Sequence, residues 1–497
     1  MPSAVPAPAR RVVVPYGGAA FDRLWGGDMS PPYRVIIRGI EMSFGNLYFV
    51  FGFLPASLLF YFIAPHRMKN TVLLLCSLVF FAWGEPTYLL LLALSVAFNY
   101  FTGRELDLLL RAEKKGVARF VLSCSVVLNL LLLCFFKYGA ELLGGRALPM
   151  PIGISFFTFS LLSFLFDIYR GKAAAAKNII DFGLFVTFFP KLVSGPIVRY
   201  AEMEAQLRDH PFTWEKFGGG ARLFLIGLSK KVLLANTLGA TFYALSALPA
   251  ASLSAAGAWL CAIAYSLMLY FDFGGYSDMA IGLAGLFGFE FQKNFDYPYL
   301  SGTVADFWRR WHISLGAWFR EYVYIPLGGS RRGNFRTALN LMVVWLLTGV
   351  WHGTGACFLL WGVYYGVLLV LEKLILRRLL ERFPKVLRHM LTLLCVVIGW
   401  VFFFSPSPQA AFTLLGRMFG TGKLLDAAAK YEWTAAWRIV LLAVLACLPI
   451  GAHIGRCLTQ RGRAWIPLSL VYYAALLLLC IAGMMNDTYS AFLYFQF

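Results

Sequence analysis

From Met42 onward, long apolar runs alternate with short polar and basic loops. The runs cover 44–64, 71–83, 87–101, 118–137, 150–168, 181–197, 219–247, 254–272, 276–290, 337–351, 356–372, 389–404, 436–454 and 466–485. Crossing about 30 Å of hydrocarbon takes about 20 mainly apolar residues in a helix, and several runs are long enough. Backbone polar groups in lipid must be satisfied within the protein, so the runs predict helices and not an open sheet. The expectation is an all-α polytopic membrane protein with roughly 11 to 13 membrane helices. The runs 71–83 and 181–197 are short for a crossing and read as tilted or re-entrant helices shielded by their neighbours.

One segment breaks the apolar rule. In Ser301 to Tyr324, Phe307, Trp308, Trp311, Leu315, Trp318, Phe319 and Tyr322 recur at helical spacing while Arg309, Arg310, Arg320 and Glu321 interrupt them. That pattern predicts a helix lying in the membrane interface. Residues 1–41 differ from the rest, being rich in Pro, Gly and Arg without the apolar core of a signal peptide. They read as a disordered extension preceding one domain over 42–497; alternatively, Met42 is the biological start.

Composition agrees with the pattern. Of the 497 residues 60% are hydrophobic and 14% charged, with a mean hydropathy of +0.69, more apolar surface than one soluble core buries. The net charge of +19 does not imply nucleic acid, because the Lys and Arg lie mainly in short loops between apolar runs. Positive-inside sorting accounts for them. His66 to Lys69 and the stretch Arg104 to Arg119 are separated by two runs, and both loops are expected to be cytoplasmic. The same parity links Arg170, Lys172 and Lys177 to that side, and Arg331, Arg332 and Arg336 to the Lys373–Arg388 stretch and to Arg456–Arg463. The C-terminus then falls outside. The nine Cys form no C-x-x-C pair and no zinc-type cluster with His, so no metal site is expected.

Candidate chemistry centres on two of six histidines. His66, His210, His389 and His453 neighbour loops or basic stretches and read as interfacial or solvated. His352, in WLLTGVWHGTG, lies between two apolar runs, where an ionisable side chain is a functional candidate by default. A neutral imidazole there could take a proton from a hydroxyl. The plainer reading is a histidine capping a tight membrane turn beside Gly353 and Gly355. His312 sits among Trp and Arg, and with Arg309, Arg310 and Arg320 it could form a mouth for a phosphate-bearing donor. Asp167, Asp272 and Asp278 are carboxylates within apolar stretches, to be read as hydrogen-bonded structural groups before catalysts. The chain lacks G-x-x-x-x-G-K-[ST], G-x-S-x-G, H-E-x-x-H and H-x-x-x-x-D.

Several blocks together resemble the membrane-bound O-acyltransferases, most closely the bacterial alginate O-acetylase branch: PIGISFFTFSLLSFLFDIYRG, FFPKLVSGPIVRY, YFDFGGYSDMAIGLAGLFGFEFQKNFDYPYLSGTVADFWRRWHISLGAWFREYVYIPLGGSRRG and WLLTGVWHGTGACFLLWGVYYG. The likeness runs over about residues 42–485. It implies a helical membrane fold around a central tunnel in a bacterial-type cytoplasmic membrane. The family's Trp-His-Gly histidine maps onto His352 and its second histidine onto His312. The candidates for contact with donor or substrate are Trp308, Arg309, Arg310, Trp311, Trp351, Asp272 and Asp278.

The resemblance further implies that acetyl-CoA or a carrier-bound thioester serves as donor substrate, with no bound cofactor. The acyl group would pass outward to a polysaccharide or cell-wall polymer, or to a secreted SGNH-like partner transferase, with His352 as general base or as acyl relay. Two rival readings share the membrane spans: a polysaccharide transporter or flippase, and a non-catalytic scaffold for a secreted acetylase.

Overall fold

The computed structural model describes residues 43–142, 149–451, 453 and 466–486. The expectations for 1–41, for the start site and for the C-terminal end lie outside the described residues. Among the described residues the regular structure is helical. The first helices are α1 (Leu54–Ile63), α2 (Lys69–Gly84), α3 (Leu89–Arg111), α4 (Lys115–Leu142), α5 (Ile154–Tyr169), α6 (Ile179–Thr187) and α7 (Tyr200–Arg208). They are followed by α8 (Trp214–Ser246), α9 (Ala255–Leu286), α10 (Val304–Arg310), α11 (Ile313–Phe319) and α12 (Asn334–His352). The chain continues through α13 (Ala356–Leu376), α14 (Lys385–Phe404), α15 (Pro408–Met418), α16 (Ala427–Ala446) and α17 (Ile466–Asn486).

Among these, seven are long and apolar enough to cross a membrane. Residues 49–63 and α5 are shorter apolar helices. Large apolar side chains such as Leu59, Phe60, Leu90, Phe101, Phe120, Leu470 and Leu478 lie exposed on the outside, as expected where the solvent is lipid. The chain is therefore an all-α polytopic membrane protein.

Helix α9 is the hub. Within its most apolar stretch 83% of residues are buried, against 6% in α17, so α9 is a central helix and α17 a peripheral one. The sequence pattern divides α9 into two runs at Phe273-Gly274-Gly275, yet the helix is continuous. Those glycines serve contact: a Cβ on Gly275 would lie 2.7 Å from the Gly227 carbonyl of α8, and one on Gly227 2.5 Å from the Gly275 carbonyl. Small residues let helix backbones approach in lipid, where van der Waals packing replaces the hydrophobic drive. Beside this crossing α8 contains a π turn, Lys230–Ala235. Lys230 meets Asp278 at 2.6 Å, and Lys231 meets Asp272 in a pair buried on both sides.

The 181–197 run is not one continuous helix. It gives α6 and one short turn, Phe189–Leu192, before the chain runs on without regular structure to α7. The 301–324 segment departs from a single interfacial helix. Trp311 is extended and His312 left-handed (φ 46°, ψ 54°), which splits it into α10 and α11. Phe307, Trp311, Leu315, Trp318, Phe319 and Tyr322 are buried against the helical core, so their apolar stripe faces protein.

Candidate active site

His352 is the last residue of α12, and the chain reverses through Gly353 to Gly355 into α13. The reversal is tight because α12 and α13 touch through glycines: a Cβ on Gly349 would lie 2.5 Å from the Phe358 carbonyl, and one on Gly362 2.6 Å from the Trp345 carbonyl. His352 is 5% exposed. Its ring lies 5.0 Å from Trp361, 5.0 Å from Phe403 and 4.7 Å from Trp351.

His312 is 3% exposed and reaches the same indole, its ring centroid 6.4 Å from that of Trp351, with Phe273 edge-on at 4.7 Å. Thus the tertiary structure brings the two candidate histidines, forty residues apart in the chain, against one tryptophan. Phe156 and Phe159 of α5 hold Trp351 from behind, and Trp318 stacks on Phe159 at 4.3 Å.

The other predicted residues take different places. Trp308 joins an aromatic basket with Trp345, Trp361 and Tyr365 at 4.6 to 5.5 Å and connects to His352 through Trp361. Trp311 stacks on Phe307 and meets Trp400 at 4.8 Å. Arg309 and Arg310 both bond Asp306, each at 3.1 Å. Asp272 and Asp278 pair with Lys231 and Lys230 between α8 and α9. Asp167 accepts from the Tyr322 hydroxyl at 2.7 Å and from the Ala201 N–H at 3.0 Å.

One histidine differs from its expected setting. His210 is buried, not interfacial or solvated, because its ring stacks on Phe289 at 4.3 Å and its Nδ1 lies 3.0 Å from the Gln206 carbonyl.

Two residues that contact this group are absent from the sequence-based set. The buried Asn294 places its Oδ1 3.2 Å from Nδ1 of His312. Lys137, near the end of α4, donates to the Trp351 carbonyl and sits 5.5 Å over the Trp351 ring. Lys137 carried a signal, being a cation at the end of an apolar run. Asn294 carried none, because a single amide in a loop is unremarkable until its partners are known.

A recess of about 340 Å³ lies beside this group, lined by Pro196 to Val198, Glu202, Gln206, Glu290 to Gln292 and Ser314. Its two carboxylates are matched by cations, Glu202 by Arg199 and Glu290 by Lys216 at 2.8 Å. Ser314, two residues from His312, forms part of its wall. Helix α12 starts just after Arg331 and Arg332 and ends at His352, the end where Lys137 of α4 bonds the Trp351 carbonyl.

Comparison with known proteins adds an independent finding. The family model for membrane-bound O-acyltransferases matches residues 117–414, a stretch that contains both histidines. A probable alginate O-acetylase, AlgI, of Pseudomonas aeruginosa is 40% identical over 400 residues, covering 77% of this chain and 75% of its own. The peptidoglycan O-acetyltransferase of Helicobacter pylori is 34% identical over 431 residues, 78% of this chain and 81% of its own. A teichoic acid D-alanyltransferase of Bacillus subtilis is 30% identical over 233 residues, 44% of this chain and 58% of its own.

Proposed function

This chain belongs to the membrane-bound O-acyltransferase family and is a membrane O-acyltransferase, and from that premise we propose that it carries an acetyl group from a cytoplasmic thioester to hydroxyls of an extracytoplasmic polysaccharide. Delivery is direct or by way of a secreted partner transferase. The observation that carries the proposal is the burial of two histidines against one tryptophan, Trp351, with His352 at the end of α12 and His312 two residues from Ser314 in the wall of the recess. Relatives of this chain are named for alginate, peptidoglycan and teichoic acid, which supports a cell-surface polymer as the acceptor class.

In this reading the donor, acetyl-CoA or an acylated carrier, enters by the recess. The pairing of Glu202 and Glu290 with cations leaves a wall suited to a neutral, amide-bearing thioester arm. His352 takes the proton of the acceptor hydroxyl as its oxygen attacks the thioester carbonyl. The new C–O bond forms, the C–S bond breaks, and the proton passes from His352 to the departing thiolate, releasing a thiol. Trp361, Phe403 and Trp351 exclude water from the imidazole and limit hydrolysis of the thioester.

The test is His352→Ala in cells, with insertion and abundance checked and acetyl content of cell-surface polymers measured by mass spectrometry. Loss of a positioned general base lowers transfer by about 10²- to 10⁴-fold. Acetylation at the normal level in a well-inserted variant would overturn the assignment. The polymer that loses acetyl groups identifies the acceptor.

A further inference from the structure

We propose that Asn294 is a positioning residue that fixes the tautomer of His312, holding the proton on Nδ1 and leaving Nε2 as a proton acceptor. The inference rests on the reading of His312 as part of the acyl-transfer site.

The amide's orientation follows from its neighbours. The backbone N–H of Ser314 lies 3.1 Å from one end of the Asn294 side chain, and a backbone N–H can only donate, so that end is the oxygen. The Ser314 hydroxyl donates to the same oxygen at 2.9 Å, while its own oxygen accepts the Ile197 N–H at 3.0 Å. The amide's other end, Nδ2, donates to Ser277 Oγ of α9 at 3.0 Å. The oxygen so fixed faces His312 Nδ1 at 3.2 Å. A bare Nδ1 would set two lone pairs against each other in a buried place, so Nδ1 carries the hydrogen. The remaining ring nitrogen, Nε2, then presents its lone pair. In the resting site His312 can accept an N–H, an O–H or a proton there, and it cannot donate to a thioester carbonyl.

Asn294 also explains the backbone at His312. A helix leaves its first N–H groups without intrahelical partners, and the residue before it usually caps them with its own side chain. His312 makes no such bond. Asn294 supplies the cap from outside, its carbonyl accepting the Ile313 N–H at 2.9 Å and its side chain the Ser314 N–H. The imidazole is thereby released from capping, and the left-handed conformation of a non-glycine residue is held by bonds on both sides.

The experiment is nitrogen NMR of the full-length protein in bilayers with ¹⁵N-labelled histidine, the His312 signal being assigned by its loss in His312→Gln. The wild type is expected to show the Nδ1-protonated form. Asn294→Leu, similar in size without an acceptor, is expected to lose that preference and to lower acyl transfer about 100-fold. Asn294→Asp keeps the acceptor oxygen, so it is expected to retain the Nδ1 proton and activity within about 10-fold of wild type. An Nε2-protonated His312 in the wild type overturns the proposal, even if Asn294→Leu fails to fold. So does an unchanged tautomer in Asn294→Leu. This readout does not depend on turnover, so it stands apart from the His352→Ala result.

Discussion

At the scale of single residues, electrostatic support is concentrated where elements meet. Glu321, just after α11 and outside the spanning helices, bonds the Lys172 ammonium, with Arg170 at 3.4 Å. That ammonium and the neighbouring guanidinium hold the Glu321 carboxyl below the usual carboxylate range. A carboxylate depressed in the folded state stabilises above its unfolded value, about 4.5, and the contribution is lost as pH falls through the lower folded value. Lys172→Met removes the main cause, so Glu321 protonates at higher pH in the folded protein. The acid-unfolding midpoint of the purified protein, followed by tryptophan fluorescence, is expected to move upward, with a stability loss at neutral pH below about 1 kcal/mol because Lys172 is half exposed. An unmoved midpoint contradicts this account. The same scale holds the candidate site: His352, His312 and Trp351 were visible in the sequence as residues, but their shared contact was not.

At the scale of elements, glycine contacts set how closely the central helices approach. On Gly227 of α8 an added Cβ would meet backbone atoms of α9, the Gly275 carbonyl and, at 2.7 Å, the Met279 nitrogen. Backbone cannot yield as a flexible side chain can. Gly227→Ala is therefore expected to cost about 1–3 kcal/mol or more, read as a lowered thermal midpoint in detergent. Gly218, nine residues earlier in the same helix, has open space around its added Cβ. Gly218→Ala should leave stability unchanged or raise it by up to about 1 kcal/mol through helix propensity. Equal effects at the two positions would show that the glycines act through propensity and not through the crossing. The 219–247 run was legible as one helix from its apolar length, whereas the unity of α9 was hidden by glycines that look like a break in one dimension and are a contact in three.

At the scale of the whole molecule, the proposed path needs its two ends on opposite sides of the membrane. From loop charge Ser330 is expected on the cytoplasmic side and Lys423, between α15 and α16, on the other; both are exposed. In a cysteine-free background, Ser330→Cys in intact cells is expected to resist a membrane-impermeant maleimide and Lys423→Cys to react with it. The reverse pattern would turn the donor and acceptor sides around. The peripheral position of α17 and the central one of α9 follow from burial, and both helices are long and apolar enough to cross a membrane.

The sequence by itself determined the class of protein, the apolar character of its helices, the charge asymmetry of its loops and the two histidines worth testing, whereas its expectation of roughly 11 to 13 membrane helices exceeds the seven among the described residues that are long and apolar enough to cross. Each of these is local: hydropathy, charge and an ionisable group in an apolar run are properties of a short window. Tertiary structure alone decided that both histidines meet at Trp351 and that Lys137 reaches a carbonyl 214 residues away. It also decided that Asn294 orients His312 across a break in the helix. Those facts depend on which polar groups meet once the helices cross, and a hydrogen bond between distant residues leaves no period or spacing in the chain.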